Sequence, residues 1–298
     1  MTRWLAVLLL ASGCKPKVLP QADLEGAPAP LVELARKLEP LTQQKAKPHR
    51  FDWLASHDEP GQTFAQYQAS DPNRLTAAHT TLYVVALADP DPALQPFIAK
   101  AEEALGLFYG LPVKHLPPIA LSELPADQRR PAPGDETTTQ LQSGFVLDLL
   151  RARRPADAVA VLAFTGYDLW PGGKWNFVFG QADLEERVGV WSLSRLGDPM
   201  LSPVALLRRT VQVALHETGH IMGIPHCAAR ECGMNGSNAL GESDRNPIAF
   251  CPVDELKLWW GFHLEPQARL QALATWARSV ALVPEADAWQ AQADALAK

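Results

Sequence analysis

Eleven consecutive residues constrain this chain more than anything else in it: His216-Glu217-Thr218-Gly219-His220-Ile221-Met222-Gly223-Ile224-Pro225-His226, which fits HExxHxxGxxH. If Thr210 to Met222 is a helix, His216 and His220 lie four residues apart and project from one face, so both imidazoles reach one metal ion. Glu217 then lies beside that ion and not on it. Gly223 follows the helix directly, where a residue free to adopt positive φ turns the chain and brings His226 back as a third ligand. Three imidazoles leave the fourth position of a tetrahedral zinc open to water. Zinc lowers the pKa of such a water to about 7, and Glu217 is placed to take its proton as it attacks a polarised carbonyl. A bare HExxH arises by chance in helices, but chance does not also supply the glycine and the third histidine at the right spacing.

The residues beyond the motif narrow the reading. They run Cys227-Ala228-Ala229-Arg230-Glu231-Cys232-Gly233-Met234, with Cys251-Pro252-Val253-Asp254 further on. This set resembles the archaemetzincins, whose pattern is HExxHxxGxxHCxxxxCxM followed by a CxxC pair. Gly61 to Tyr67, Asn176 to Asp183 and Ser192 to Leu196 also look like segments of that family, so the resemblance runs from about Phe51 to Leu282. It implies a zinc metallopeptidase with peptide or protein substrates. His216, His220 and His226 would hold the catalytic zinc, Glu217 would be its general base, and Met234 would be the methionine of the turn beneath it. In that family the cysteines hold a second, structural zinc.

One departure matters. Asp254 stands where the family has the second cysteine of its CxxC pair. Three readings stay open at this point: a zinc site built from Cys227, Cys232, Cys251 and Asp254; a Cys227 to Cys232 disulfide; or a vestigial site. Aspartate is an acceptable zinc ligand. Three thiolates on one zinc would also use up the odd number of cysteines in the body of the chain, whereas an oxidising compartment favours the disulfide.

The first residues bear on the compartment. Arg3 precedes an apolar stretch from Trp4 to Leu10, followed by Ala11-Ser12-Gly13-Cys14. The stretch is too short to span a bilayer, which needs about 20 apolar residues, and it looks like a bacterial lipoprotein signal. Ala11 departs from the leucine usual at that position. The expectation is a signal peptide over 1–13 and export to the bacterial cell envelope, periplasmic or at the outer surface. A lipid on Cys14 would then anchor the chain to a membrane. Residues 14–50, rich in proline, alanine and lysine, read as a flexible tether with room for one short helix at Leu31 to Leu38, the alternative being an extension packed on the domain, and 51–298 read as the zinc peptidase domain.

A formal charge of -6 and the lack of a lysine or arginine cluster argue against nucleic acid as a partner. Hydrophobic residues make up 47% of the chain, enough for a sizeable core. Strands are expected at Thr80 to Ala88, Pro112 to Ile119, Ala158 to Phe164, Trp175 to Phe179 and Val188 to Leu193. Helices are expected at Ala93 to Phe108, Thr137 to Arg153, Leu206 to Met222, Glu265 to Val280 and Glu285 to Ala297. The fold class is α/β, of the α+β zincin kind: a mixed, mostly parallel twisted sheet with packed helices and an active-site helix. In zincins an edge strand lies along the cleft, and Asn176 to Gln181 is the candidate here, where a substrate could add its backbone. Val211, Val213 and Leu215 read as core contacts.

Two other functions compete with a peptidase. One is a noncatalytic zinc-containing envelope lipoprotein acting as a binding module, against which the intact Glu217 speaks, because a structural zinc needs no base. The other is a zinc hydrolase acting on a nonpeptide amide, which the motif alone does not separate from a peptidase.

Overall fold

The computed structural model of the chain describes residues 19–88 and 90–298. The expected signal segment 1–13 and Cys14 lie outside the described residues. In chain order, the first half holds α1 (Ala29–Leu38), α2 (Phe64–Ala69), β1 (Thr81–Ala86), α3 (Gln95–Tyr109), β2 (Val113–His115), β3 (Arg129–Ala132), β4 (Asp135–Gln142) and α4 (Ser143–Arg153). Next come β5 (Ala158–Thr165), β6 (Asp168–Trp170), β7 (Gly180–Asp183) and β8 (Val188–Ser192). Helices complete the chain: α5 (Pro203–Ile221), α6 (Leu240–Ser243), α7 (Pro252–Phe262), α8 (Pro266–Ser279) and α9 (Val283–Leu296).

The main sheet has the order β2-β1-β5-β8-β7. Its first four strands are parallel, and β7 runs antiparallel to β8 at the edge. Parallel strands are covered on both faces, so they read as continuous apolar runs, and every residue of β5 is buried. Alternation along β1 sorts the two layers. Leu82 and Val84 face the larger core, shared with α3, α5 and the C-terminal helices, while Tyr83 and Val85 face a smaller core with Val146, Leu147 and Leu150 of α4. On α3 the stripe Ile98, Ala101, Leu105 and Phe108 is buried as its spacing predicts. Leu270, Leu273, Trp276 and Ala277 do the same on α8, as does Trp259 on α7.

Three expectations are corrected. The helix expected over Thr137 to Arg153 begins only at Ser143, because the β-branched run Thr137-Thr138-Thr139 belongs to β4, which pairs with β3 and β6 in a second, three-stranded sheet. The side chain of Gln142 accepts the backbone N–H of Phe145 and so starts α4 there. The strand expected over Trp175 to Phe179 is mostly irregular, with an isolated bridge from Val178 to Leu169, and regular pairing starts at Gly180.

The third correction concerns the tether. Across its described part, 19–50 is packed on the domain: Leu19, Leu24, Ala35 and Leu38 are buried in the larger core, and α1 lies against α7 and α9. The short helix expected over Leu31 to Leu38 starts at Ala29, with Pro28 at its N-cap and Pro30 in its first turn, so these prolines start it and do not cut it short. Further along, Lys45 N donates to Ala229 O at 3.1 Å and Glu231 N to Gln43 O at 3.0 Å, fastening the segment to the loop that follows His226. Among the described residues no helix is long and apolar enough to cross a membrane.

The packing of α1 is open to measurement. Leu38 is fully buried, so Leu38→Ala should lower the unfolding free energy by about 2–5 kcal/mol in chemical denaturation. A residue on a free tether would show no change.

Candidate metal centre and active-site cleft

His216 and His220 are carried by the last turns of α5. The helix ends where Gly223 takes φ +80°, and two hydrogen bonds close it, Gly223 N to His220 O at 2.8 Å and Ile224 N to Gly219 O at 3.0 Å. This reversal returns His226 to the helix. The ligand atoms of the three histidines all lie within 4.8 Å of one another, and His216 Nε2 is 3.1 Å from His220 Nε2.

Each ring is held from behind. His216 Nδ1 is 2.8 Å from Gly233 O, His220 Nδ1 is 2.9 Å from Ile224 O, and His226 Nδ1 is 2.9 Å from Glu59 Oε1. With Nδ1–H donated outward, Nε2 is left as a lone pair facing the common centre, the arrangement that histidine metal ligands adopt. Burial, and then the fields of His216 and His226, hold His220 far below the usual imidazole range; burial and His216 lower His226. Neutral imidazole is the ligating form. The residues thus fit a zinc ion with three nitrogen donors and one open position.

Glu217 lines the cleft beside these rings. Desolvation pushes its carboxyl above the ordinary range, against the opposing effect of His216. It packs beside the edge strand, where a methyl group on Gly180 would lie 3.4 Å from Glu217 Cγ. Two depressions meet at this point. One, of about 680 Å³, has an aromatic and aliphatic wall that includes Trp53, Trp175, Phe177, Phe179, Val213 and Leu240. The other, of about 870 Å³, carries Glu59, Asp71 and Glu185. Both include Glu217, His220 and His226, so the cleft runs across the metal centre.

Met234 is buried beneath the helix, where a methyl group on Gly219 would lie 2.5 Å from its sulfur. Next to it is the second cluster. Ligand atoms of Cys227, Cys232, Cys251 and Asp254 also fall within 4.8 Å of one another. Cys227 Sγ lies 3.9 Å from Cys251 Sγ, and Asp254 Oδ2 lies 3.2 Å from Cys232 Sγ and 3.5 Å from Cys251 Sγ. The three cysteines are free thiols, not a Cys227 to Cys232 disulfide. Burial raises the Asp254 carboxyl even though Lys257 Nζ, at 2.8 Å, opposes the shift. Three thiols and a carboxylate converging in a buried space form a donor set suited to zinc.

The structure also alters the list of residues at the site. Val211 and Leu215 are core residues as expected, but Val213 lines the cleft. Asn176 contributes its backbone carbonyl, which accepts from Gln140 Nε2 at 2.8 Å, while the Gln181 side chain accepts from Ser143 Oγ. Neither side chain is thereby shown to meet a substrate. Sequence reasoning missed Trp53 and Glu59. Trp53 meets the His226 ring edge-on at 5.0 Å between centroids, and Glu59 is 167 residues from the histidine it contacts. His57, which has no metal-ligand spacing, stacks on Trp53 at 3.6 Å.

Comparison with known proteins agrees with this geometry. The family model of peptidase family M54 matches residues 158–258, which hold both ligand clusters and Glu217 but not Trp53 or Glu59. Archaemetzincin-2 of Macaca fascicularis is 33% identical over 267 residues, covering 76% of this chain and 71% of the relative. Archaemetzincin-1 of Homo sapiens is 28% identical, covering 77% of this chain and 53% of that protein. The crystal structure of an archaemetzincin from Methanopyrus kandleri superposes with a TM-score of 0.51 at 32% identity, over 64% of this chain and 99% of that one. The chain belongs to the archaemetzincin family and is a zinc metallopeptidase.

Proposed function

We propose that the enzyme hydrolyses bonds within extended peptides laid along β7, with His216, His220 and His226 as the zinc ligands and Glu217 as general base and proton carrier. The observation that carries this reading is the convergence of three outward-braced imidazoles beside a desolvated carboxylate in an open cleft. Zinc held by the three histidines would supply Lewis acidity to the scissile carbonyl and make the attacking water more acidic. Glu217 takes the proton of the attacking water on a carboxylate oxygen and delivers it to the leaving nitrogen. As the antiparallel edge strand, β7 has an unpaired side on which a substrate backbone can add. The aromatic wall suits a large apolar side chain next to the scissile bond.

A diverse peptide mixture read by mass spectrometry tests this. The wild type should cut beside large apolar residues. Glu217→Ala should keep its zinc and lose about 10²- to 10⁴-fold in kcat, whereas His220→Ala should lose the catalytic metal. Equal turnover in Glu217→Ala and wild type would sink the mechanism. A folded, zinc-loaded wild type that cuts nothing would favour the noncatalytic binding module.

The second cluster is proposed to hold a structural zinc through Cys227, Cys232, Cys251 and Asp254. Its support is the convergence of four donors and their burial. Metal analysis should find two zinc ions per chain, falling to one in Cys251→Ser with reduced thermal stability, because a structural zinc contributes directly to folding. One zinc in both proteins would refute the site.

Export and anchoring through lipid on Cys14 are proposed from the sequence of residues 3–14. Metabolic labelling with a radioactive fatty acid in a bacterial host should mark the wild type and not Cys14→Ala. Unlabelled wild type recovered from the membrane-free fraction would count against the anchor.

A further inference from the structure

The three histidines are not braced alike. His216 and His220 sit on α5 and direct Nδ1 to the backbone carbonyls of Gly233 and Ile224. His226 lies beyond the helix, on a loop, so α5 does not fix its ring. Its Nδ1 meets a side-chain carboxylate, that of Glu59, delivered from a segment remote in sequence. The same Oε1 accepts Trp53 Nε1–H at 2.8 Å.

We propose that Glu59 is the positioning residue for His226, and that Trp53 holds Glu59 in place, so that segment 51–59 completes the catalytic metal centre. This rests on the reading of His216, His220 and His226 as zinc ligands. By accepting Nδ1–H, Glu59 fixes the tautomer, aims Nε2 at the metal and makes the ring a stronger donor than a carbonyl partner would. Trp53 adds a wall to the cleft at the same ligand.

The segment is tied down by contacts that do not involve the metal ligands. Trp53 N donates to Glu242 Oε1 at 2.9 Å, while the other oxygen of Glu242 accepts Asn238 N at 2.7 Å. Asn238 Nδ2 donates to Phe51 O at 3.2 Å, and Arg245 pairs with Asp52 at 2.6 Å. The Trp53 ring lies directly over Gly236, where a methyl group would come within 2.5 Å of Trp53 Cδ1. His57 covers the ring in a parallel stack. A bare glycine on one side and a stacked imidazole on the other leave the indole little freedom, which gives Glu59 a fixed donor to lean on.

The test measures zinc affinity by chelator competition, and ligand geometry by the visible spectrum of the cobalt-substituted full-length protein. Glu59→Leu should weaken zinc binding at the histidine site about 10- to 100-fold and shift the cobalt ligand-field bands. The thiolate charge-transfer band of the cysteine cluster should be unchanged. Glu59→Gln keeps an acceptor oxygen and loses only the charge, so it should restore the bands and part of the affinity. Gly236→Ala, which displaces Trp53 without altering Glu59 or His226, should weaken zinc in the same direction. These two variants carry the test even if Glu59→Leu does not fold. His220→Ala is the reference. If it loses the histidine-site zinc while Glu59→Leu and Gly236→Ala bind with wild-type affinity and spectrum, the role of Glu59 is overturned and the ligand assignment stands. If His220→Ala keeps that zinc, the ligand assignment itself fails, and the role of Glu59 with it.

Discussion

The centre depends on how closely one turn approaches α5. A side chain at position 219 would collide with the sulfur of Met234, so it is the absence of one that lets the thioether seat between the turns bearing His216 and His220. Once seated, the turn brings Gly233 O within 2.8 Å of His216 Nδ1, and Met234 O accepts Cys227 N at 2.8 Å. Cys232 immediately precedes this turn, and Cys227 immediately follows His226. One loop therefore carries His226 of the first cluster and Cys227 and Cys232 of the second, while Cys251 and Asp254 join from the start of α7. A displacement of the cysteine cluster would be transmitted to the carbonyl that orients His216 and to the chain that carries His226, because close-packed interiors pass strain on and do not absorb it.

The aspartate in the second cluster changes less than its chemistry suggests. One carboxylate in place of one thiolate leaves the formal charge of a zinc site unaltered. What it adds is an oxygen able to hold a neighbour: Asp254 Oδ2 faces the thiols while Oδ1 pairs with the buried Lys257. A lone ammonium in that interior would be costly, and so would a lone carboxylate, whereas the hydrogen-bonded Asp254–Lys257 pair offsets both. Lys257 lies one helical turn after Asp254 on α7, where i,i+3 spacing brings the two together. The aspartate thus ties the cluster, through Lys257, to α7, the helix on which α1 packs.

How much of this could be read from the residues follows from the range of each interaction. The HExxHxxGxxH run was legible because helical periodicity and one glycine determine its geometry over eleven residues. The cysteine set was legible through its resemblance to a family, and the sheet through its apolar runs. Thr137 to Gln142 was misread because Leu141 fits a helical stripe with Phe145 as well as it fits a strand, and only pairing with Arg129 and Leu169 decides between them. The tether was misread because its prolines suggest extension, while Leu19, Leu24 and Leu38 become buried only in the folded domain, where α1 packs on α7 and α9. Glu59 gave no signal at all. A carboxylate 167 residues from its histidine obeys no local period, and the tryptophan that fixes it looks, in sequence, like any aromatic.

The packed N-terminal segment changes what anchoring would mean. Since Leu19 is already buried in the domain, the proposed lipid on Cys14 would be followed by only four residues before the chain enters the core, a reach of at most about 18 Å. Such a connection, if the proposed anchor is present, would hold the enzyme near the bilayer and would not let it range far from it. From Leu19 the chain runs through α1, crosses the loop after His226 at Gln43 and Lys45, and arrives at Trp53 and Glu59. The stretch that would lead away from the membrane is thus the same stretch that braces the third histidine. Cutting the chain back to the expected domain start at Phe51 would therefore remove the buried leucines of the 19–38 stretch and the contacts that seat Trp53's neighbours, and it would loosen the metal centre without touching a ligand.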